Sequence, residues 1–144
     1  MLLCPLKQQE ILIFMKKEIF DEYGFFDECL EVCEDYDMWI RITAKEEVGF
    51  LDNPLVMKYG GHDDQLSKKY WGMDRFRIKS LEKNLKNDWF TAEQKKSVLK
   101  ILIKKLCIIS NGAKKRDNEE IYIKYKDKLN HWLLEFDNFN NEQY

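Results

Sequence analysis

The sequence predicts an α/β first half with two or more short strands, followed by a mainly α-helical C-terminal extension. Three observations carry that expectation. The 144 residues are 44% apolar and 14% aromatic, enough for a buried core and too many for a disordered chain. Only six Gly and two Pro argue against a sandwich of many short strands, which needs more turn residues. Charge also divides unevenly: residues 1–67 hold 15 acids and 6 bases, whereas 68–144 hold 11 and 18. The halves are thus net −9 and +7, which sets a boundary at Ser67.

Taken in order, Ile11-Leu12-Ile13-Phe14 is a continuous apolar run and reads as a buried strand with bare edges, a surface for a homodimer. Lys16 to Tyr23 reads as a short helix stopped by Gly24. From Glu34 to Lys45, Tyr36, Trp39, Ile40, Thr43 and Ala44 recur at helical spacing. Glu34, Asp35 and Asp37 fall in the first turn, where the helix dipole favours negative charge. Val48-Gly49-Phe50-Leu51 and Leu55-Val56-Met57 read as short strands around an Asp52-Asn53-Pro54 turn. Gly60-Gly61 opens a loop carrying His62.

The second half reads as helices. Lys68 to Lys86 carries Trp71, Phe76, Ile78, Leu81 and Leu85 near the helical period. Thr91 and Gln94 form a capping-box pattern ahead of a helix ending at Asn111-Gly112. A last helix spans Asn118 to Phe136, with Asp137 to Tyr144 expected to fray.

Several classes are excluded or disfavoured. No apolar run approaches the roughly 18 residues of a membrane span. The first residues lack the basic region and cleavage site of a signal peptide. Cys4, Cys29, Cys33 and Cys107 form no CxxC pair, which points to free thiols in a reducing cytoplasm. The basic half could attract nucleic acid, anionic lipid or a phosphorylated substrate, or be simply solvated helix faces. No nucleic-acid reader motif is present, so no specific nucleic-acid partner is expected. The expected location is the cytoplasm, with a membrane-peripheral placement as its variant.

The residues richest in chemistry are Glu28-Cys29-Leu30-Glu31-Val32-Cys33-Glu34-Asp35-Tyr36-Asp37-Met38-Trp39-Ile40-Arg41. Their acids either serve the helix end or supply a general base, which needs only to reach a hydroxyl proton. Gly24-Phe25-Phe26-Asp27-Glu28 followed by Cys33-Glu34-Asp35-Tyr36-Asp37-Met38-Trp39-Ile40-Arg41 resembles the C-terminal part of family 2 glycosyltransferases of the GT-A fold. Gly49 to Val56, Gly60-Gly61-His62, Gln65-Leu66-Ser67 and Trp71 continue the resemblance. It covers about Ile11 to Ser80, and Lys105 to Arg116 more weakly.

The resemblance implies a partial GT-A fold, residues 1–67 forming its acceptor-side part and 68–144 a helical extension. It implies Asp35 as the base, Glu34 as its neighbour, and Trp39 and Asp37 on the acceptor side. Asp37 also reads as a capping or ion-pairing residue, Trp39 as a core aromatic, and Arg41 as an ion-pair partner of the acids. His62 is implied as a contact to a divalent metal, Mg or Mn, or to the donor's diphosphate. The partners implied are a sugar acceptor and, through a missing half, a nucleotide-sugar donor. The family's nucleotide-binding strands and Asp-x-Asp motif do not precede these residues, and Gln65-Leu66-Ser67-Lys68-Lys69 lacks a QxxRW motif. Little transferase activity is therefore expected of this chain alone. The competing reading from another class is a small helical protein-interaction module without catalysis.

Overall fold

A computed structural model describes residues 13–49, 51, 53 and 69–141. Every regular element among them is an α-helix: α1 (Glu18–Tyr23), α2 (Glu34–Thr43), α3 (Asp74–Asn84), α4 (Ala92–Lys114) and α5 (Glu119–Asn141).

The expected α/β fragment with short strands is thereby corrected. Val48, Gly49 and Leu51 lie in irregular chain, and Val48 and Leu51 are exposed. A four-residue apolar run forms a strand only where a neighbour accepts its backbone bonds, and none does so among the described residues. Ile13 and Phe14 are also irregular, with Phe14 82% exposed, so the expected buried strand is absent there. Leu55-Val56-Met57 and the Gly60-Gly61 loop lie outside the described residues, as do Ile11 and Leu12.

Each helix packs on the next in chain order, and α4 and α5 meet most extensively. α1 ends where Gly24 adopts φ 77°, ψ 174°, a conformation open to glycine alone, and its N–H bonds Phe20 O at 3.0 Å. The capping box before α4 forms as patterned. Gln94 N–H donates to Thr91 Oγ1 at 3.3 Å, and Thr91 N–H donates to Gln94 Oε1 at 2.9 Å. The same Gln94 amide donates to Ala44 O at 3.1 Å and ties α4 to the end of α2.

α4 runs through Gly112 to Lys114 rather than stopping at Asn111. The left-handed position is taken by Asp117, φ 52°, and Asn118 N–H closes back to Ala113 O at 3.1 Å. Asn118 Oδ1 then caps α5 by accepting from Ile121 N–H at 3.1 Å. α5 extends past Phe136 to Asn141, where fraying was expected. Lys95 lies over the Phe139 ring at 5.5 Å and Lys114 over Tyr122 at 5.8 Å, one contact at each end of an antiparallel hairpin.

The main core joins four helices: Ile40 from α2, Ile78 and Leu81 from α3, Val98, Leu102, Leu106 and Ile109 from α4, and Tyr125 and Leu129 from α5. Each such side chain contributes about 1.5–3 kcal/mol on burial. Tyr23, Met38 and Ile42 form a second cluster between α1 and α2, and Val32, Cys33 and Phe76 a third beside the start of α2.

Candidate functional site

α2 begins without a capping side chain. Its N-cap is Cys33, held at φ 63°, ψ 24° in the left-handed region. That conformation turns the chain so that Glu34 and Asp35 lead the helix, and it strains a residue carrying a Cβ. Cys33 is buried against Val32 and Phe76, and burial pushes its thiol up.

The acids of this first turn separate sharply. Asp35 is exposed and Glu34 half-buried. Asp35 Oδ1 accepts the N–H of Tyr36 at 2.7 Å, and Oδ2 has no partner among the described residues.

Asp37, one half-turn on, is fully buried. Its Oδ1 accepts from Ser80 Oγ at 3.0 Å and Asn84 Nδ2 at 2.9 Å. Its Oδ2 accepts from Arg41 Nε at 3.1 Å and Lys83 Nζ at 2.7 Å. Four donors, two of them cationic, are what a carboxylate needs to remain inside a protein. The acceptor-side position implied for Asp37 meets that fact: its oxygens are closed to solvent and already occupied.

The network continues outward. Lys83 Nζ also donates to Asp27 Oδ2 at 2.7 Å. Asp27 Oδ1 accepts the N–H of Cys29 at 2.9 Å. The Lys83 ammonium, helped by that N–H, holds the Asp27 carboxyl below its usual range. Arg41 donates to Tyr23 O and, at 2.7 Å, to Phe25 O. One arginine thus grips both sides of the Gly24 turn while pairing with Asp37. The Gly24 to Glu28 segment, α2 and α3 are held together by these bonds.

Trp39 packs partly buried with Tyr23, Met38 and Ile42. Its contacts are those of a half-buried core aromatic. His62 lies outside the described residues. Among the described residues no group of three or more His, Cys, Asp or Glu side chains is arranged to hold a metal ion.

Beside the start of α2 lies a groove of about 820 Å³ lined by Trp71, Met73, Arg77, Ile108, Arg116 and Ile121, among others. Its wall touches α2: Cys33 Sγ lies 3.9 Å from Met73 O, and Arg77 sits 5.9 Å from the Tyr36 ring centre. Burial pushes the Tyr36 hydroxyl up to about 12. Asp74 in the same wall is pushed up by burial but held lower on balance by Lys105 and Arg77.

Sequence reasoning missed Ser80, Lys83 and Asn84. A local signal exists: Phe76, Ser80 and Asn84 follow at i, i+4 and i+8, so two polar residues continue an apolar stripe. Buried polar residues at such positions require partners, and Asp37 accepts from the Ser80 hydroxyl and the Asn84 amide.

A 57-residue stretch of the chain is 35% identical to an uncharacterized glycosyltransferase of Rickettsia conorii. The match takes in 40% of this chain and 9% of that protein's length. No family profile and no solved structure matches the chain. The similarity supports a glycosyltransferase-like protein and reaches no finer class.

Proposed function

We propose that this chain supplies the acceptor side of a family 2 type glycosyltransferase, with Asp35 as general base and Glu34 beside it. The observation that carries the reading is the contrast on one helical turn. Asp37 is consumed by four donors, while Asp35 stands exposed at the rim of α2, its Oδ2 without a partner among the described residues. The partial likeness to a glycosyltransferase supports it independently.

In this reading a sugar acceptor lies along the groove beside Met73 and Arg77 and turns a hydroxyl toward Asp35. The acceptor oxygen bonds to the anomeric carbon of a nucleotide-sugar donor as the bond from that carbon to the diphosphate oxygen breaks. The diphosphate leaves with the electron pair, and the hydroxyl proton passes to Asp35. The donor and its divalent ion, Mg or Mn, are held by residues other than those described. Half-buried Trp39 lies on the acceptor side in this reading, and Asp37 with Arg41 keeps the helix end rigid.

The test joins this chain to a nucleotide-binding part that gives measurable transfer. Asp35→Asn should lower turnover by about 10²–10⁴, the usual weight of a general base. Its thermal stability should stay within about 0.5 kcal/mol, as for an exposed side chain. Turnover like that of the unsubstituted enzyme, with normal donor binding, would remove Asp35 from the mechanism.

A further inference from the structure

The basic charge of the second half is not uniformly engaged. Arg77, Lys83, Lys105 and Lys128 each pair with a carboxylate within the fold. On the outer face of α4 the pattern differs. Lys96, Lys100 and Lys104 are exposed at i, i+4 and i+8, and Lys115 continues beyond the helix end. None of these four pairs with an acid among the described residues. Glu93, three residues before Lys96, is the sole acid in the helix.

A solvated helix normally sets Glu against Lys at i, i+4. Like charges at that spacing destabilise it. The row Lys96-Lys100-Lys104 therefore opposes folding slightly, and a flat anionic partner would reverse its sign. The three ammoniums follow one line over about 12 Å. Ile108 continues that line at 54% exposure, and Ile101, Ile103 and Cys107 are half-buried along its edges. From Lys96 to Lys104 the row holds neither an arginine fork for base edges nor an aromatic ring for base stacking, and Trp71 and Arg116 lie beyond it, in the groove that Ile108 lines. Lysines bordered by aliphatic side chains suit a headgroup layer with the acyl boundary beneath it.

We infer that the outer face of α4, Lys96, Lys100, Lys104 and Lys115 with Ile108, docks on an anionic lipid surface. The attraction is electrostatic, with Ile108 adding a small apolar contribution. It rests on the lysine row and needs no role of Asp35, although Ile108 also lines the groove assigned to the acceptor.

The full chain, centrifuged with phosphatidylcholine vesicles, should sediment only when they contain phosphatidylserine, and high salt should release it. The triple variant Lys96→Gln, Lys100→Gln, Lys104→Gln should bind about 100-fold more weakly, near one factor of five per lysine. A control triple variant, Lys86→Gln, Lys124→Gln, Lys126→Gln, makes the same change in net charge at other exposed sites and should lose less than about tenfold. Ile108→Asn should weaken binding without any change of charge. Circular dichroism checks that each variant keeps its helix. The inference is overturned if phosphatidylserine makes no difference, if both triple variants lose equally, or if duplex DNA binds more tightly than the vesicles.

Discussion

The α4–α5 hairpin and the α1–α2 region are held by different physics. The hairpin consists of two 23-residue helices whose facing sides are mainly apolar, and its buried positions include Val98, Leu99, Leu102, Leu106, Ile109, Tyr125 and Leu129. The α1–α2 region has helices of 6 and 10 residues, too short to be stable alone. It is fastened to α3 by a buried carboxylate and the two cations that reach it. Apolar packing tolerates small shifts, whereas charge-assisted hydrogen bonds fix distance and direction. The difference teaches where geometric accuracy is kept: in the segment that presents Glu34 and Asp35.

The largest effect should come from breaking the ionic fastening. Asp37→Ala leaves Lys83 and Arg41 without their buried partner and should cost about 3–5 kcal/mol in chemical denaturation. A loss near 1 kcal/mol would mean that the α1–α2 region is held by its apolar clusters instead.

A smaller effect is expected on the hairpin side. Thr91→Ala removes one half of the capping box and should cost about 1 kcal/mol. Gln94→Ala should cost more than Thr91→Ala, because the Gln94 amide also bonds Ala44 O across to α2. Equal costs in thermal melts would deny that link any weight.

These elements differ in how far the sequence disclosed them. Thr91 with Gln94, the Gly24 stop and the periodic stripes of α2, α3 and α4 are local signals, readable without any partner. Val48 to Leu51 shows the limit: its apolar run has the composition of a strand, but pairing depends on a neighbour that the run does not name. Asp37 and Lys83 are 46 residues apart, so no window on the chain joins them. The stop at Asn111-Gly112 was misplaced because Asp117 takes the left-handed position instead. The exposed Asp35 and buried Asp37 carry the same side chain, and only the packing of α3 distinguishes them.

The smallest effect concerns acid. Asp27, on the α1–α2 side, and Asp74, at the start of α3 and paired with Lys105 of the hairpin, both have carboxyls held below the ordinary value of 3.8. A carboxyl with a depressed folded-state value binds fewer protons folded than unfolded, so its stabilisation is present above the unfolded value. That stabilisation is lost as pH falls through 3.8 toward the lower folded values. Urea midpoints should therefore be flat with respect to these two groups above that range and fall below it. Asp27→Asn and Asp74→Asn should each flatten part of the decline, and a decline unchanged by both would assign it to other acids.

The claim that Asp37 couples α2 to α3 is tested most directly by a double-mutant cycle. Asp37→Asn, Lys83→Met and their combination are unfolded in denaturant, and the interaction energy is taken from the four stabilities. The coupling should lie at about 1–3 kcal/mol, the range for groups that share one buried network. Additivity within about 0.3–0.5 kcal/mol, as for independent sites, would contradict it.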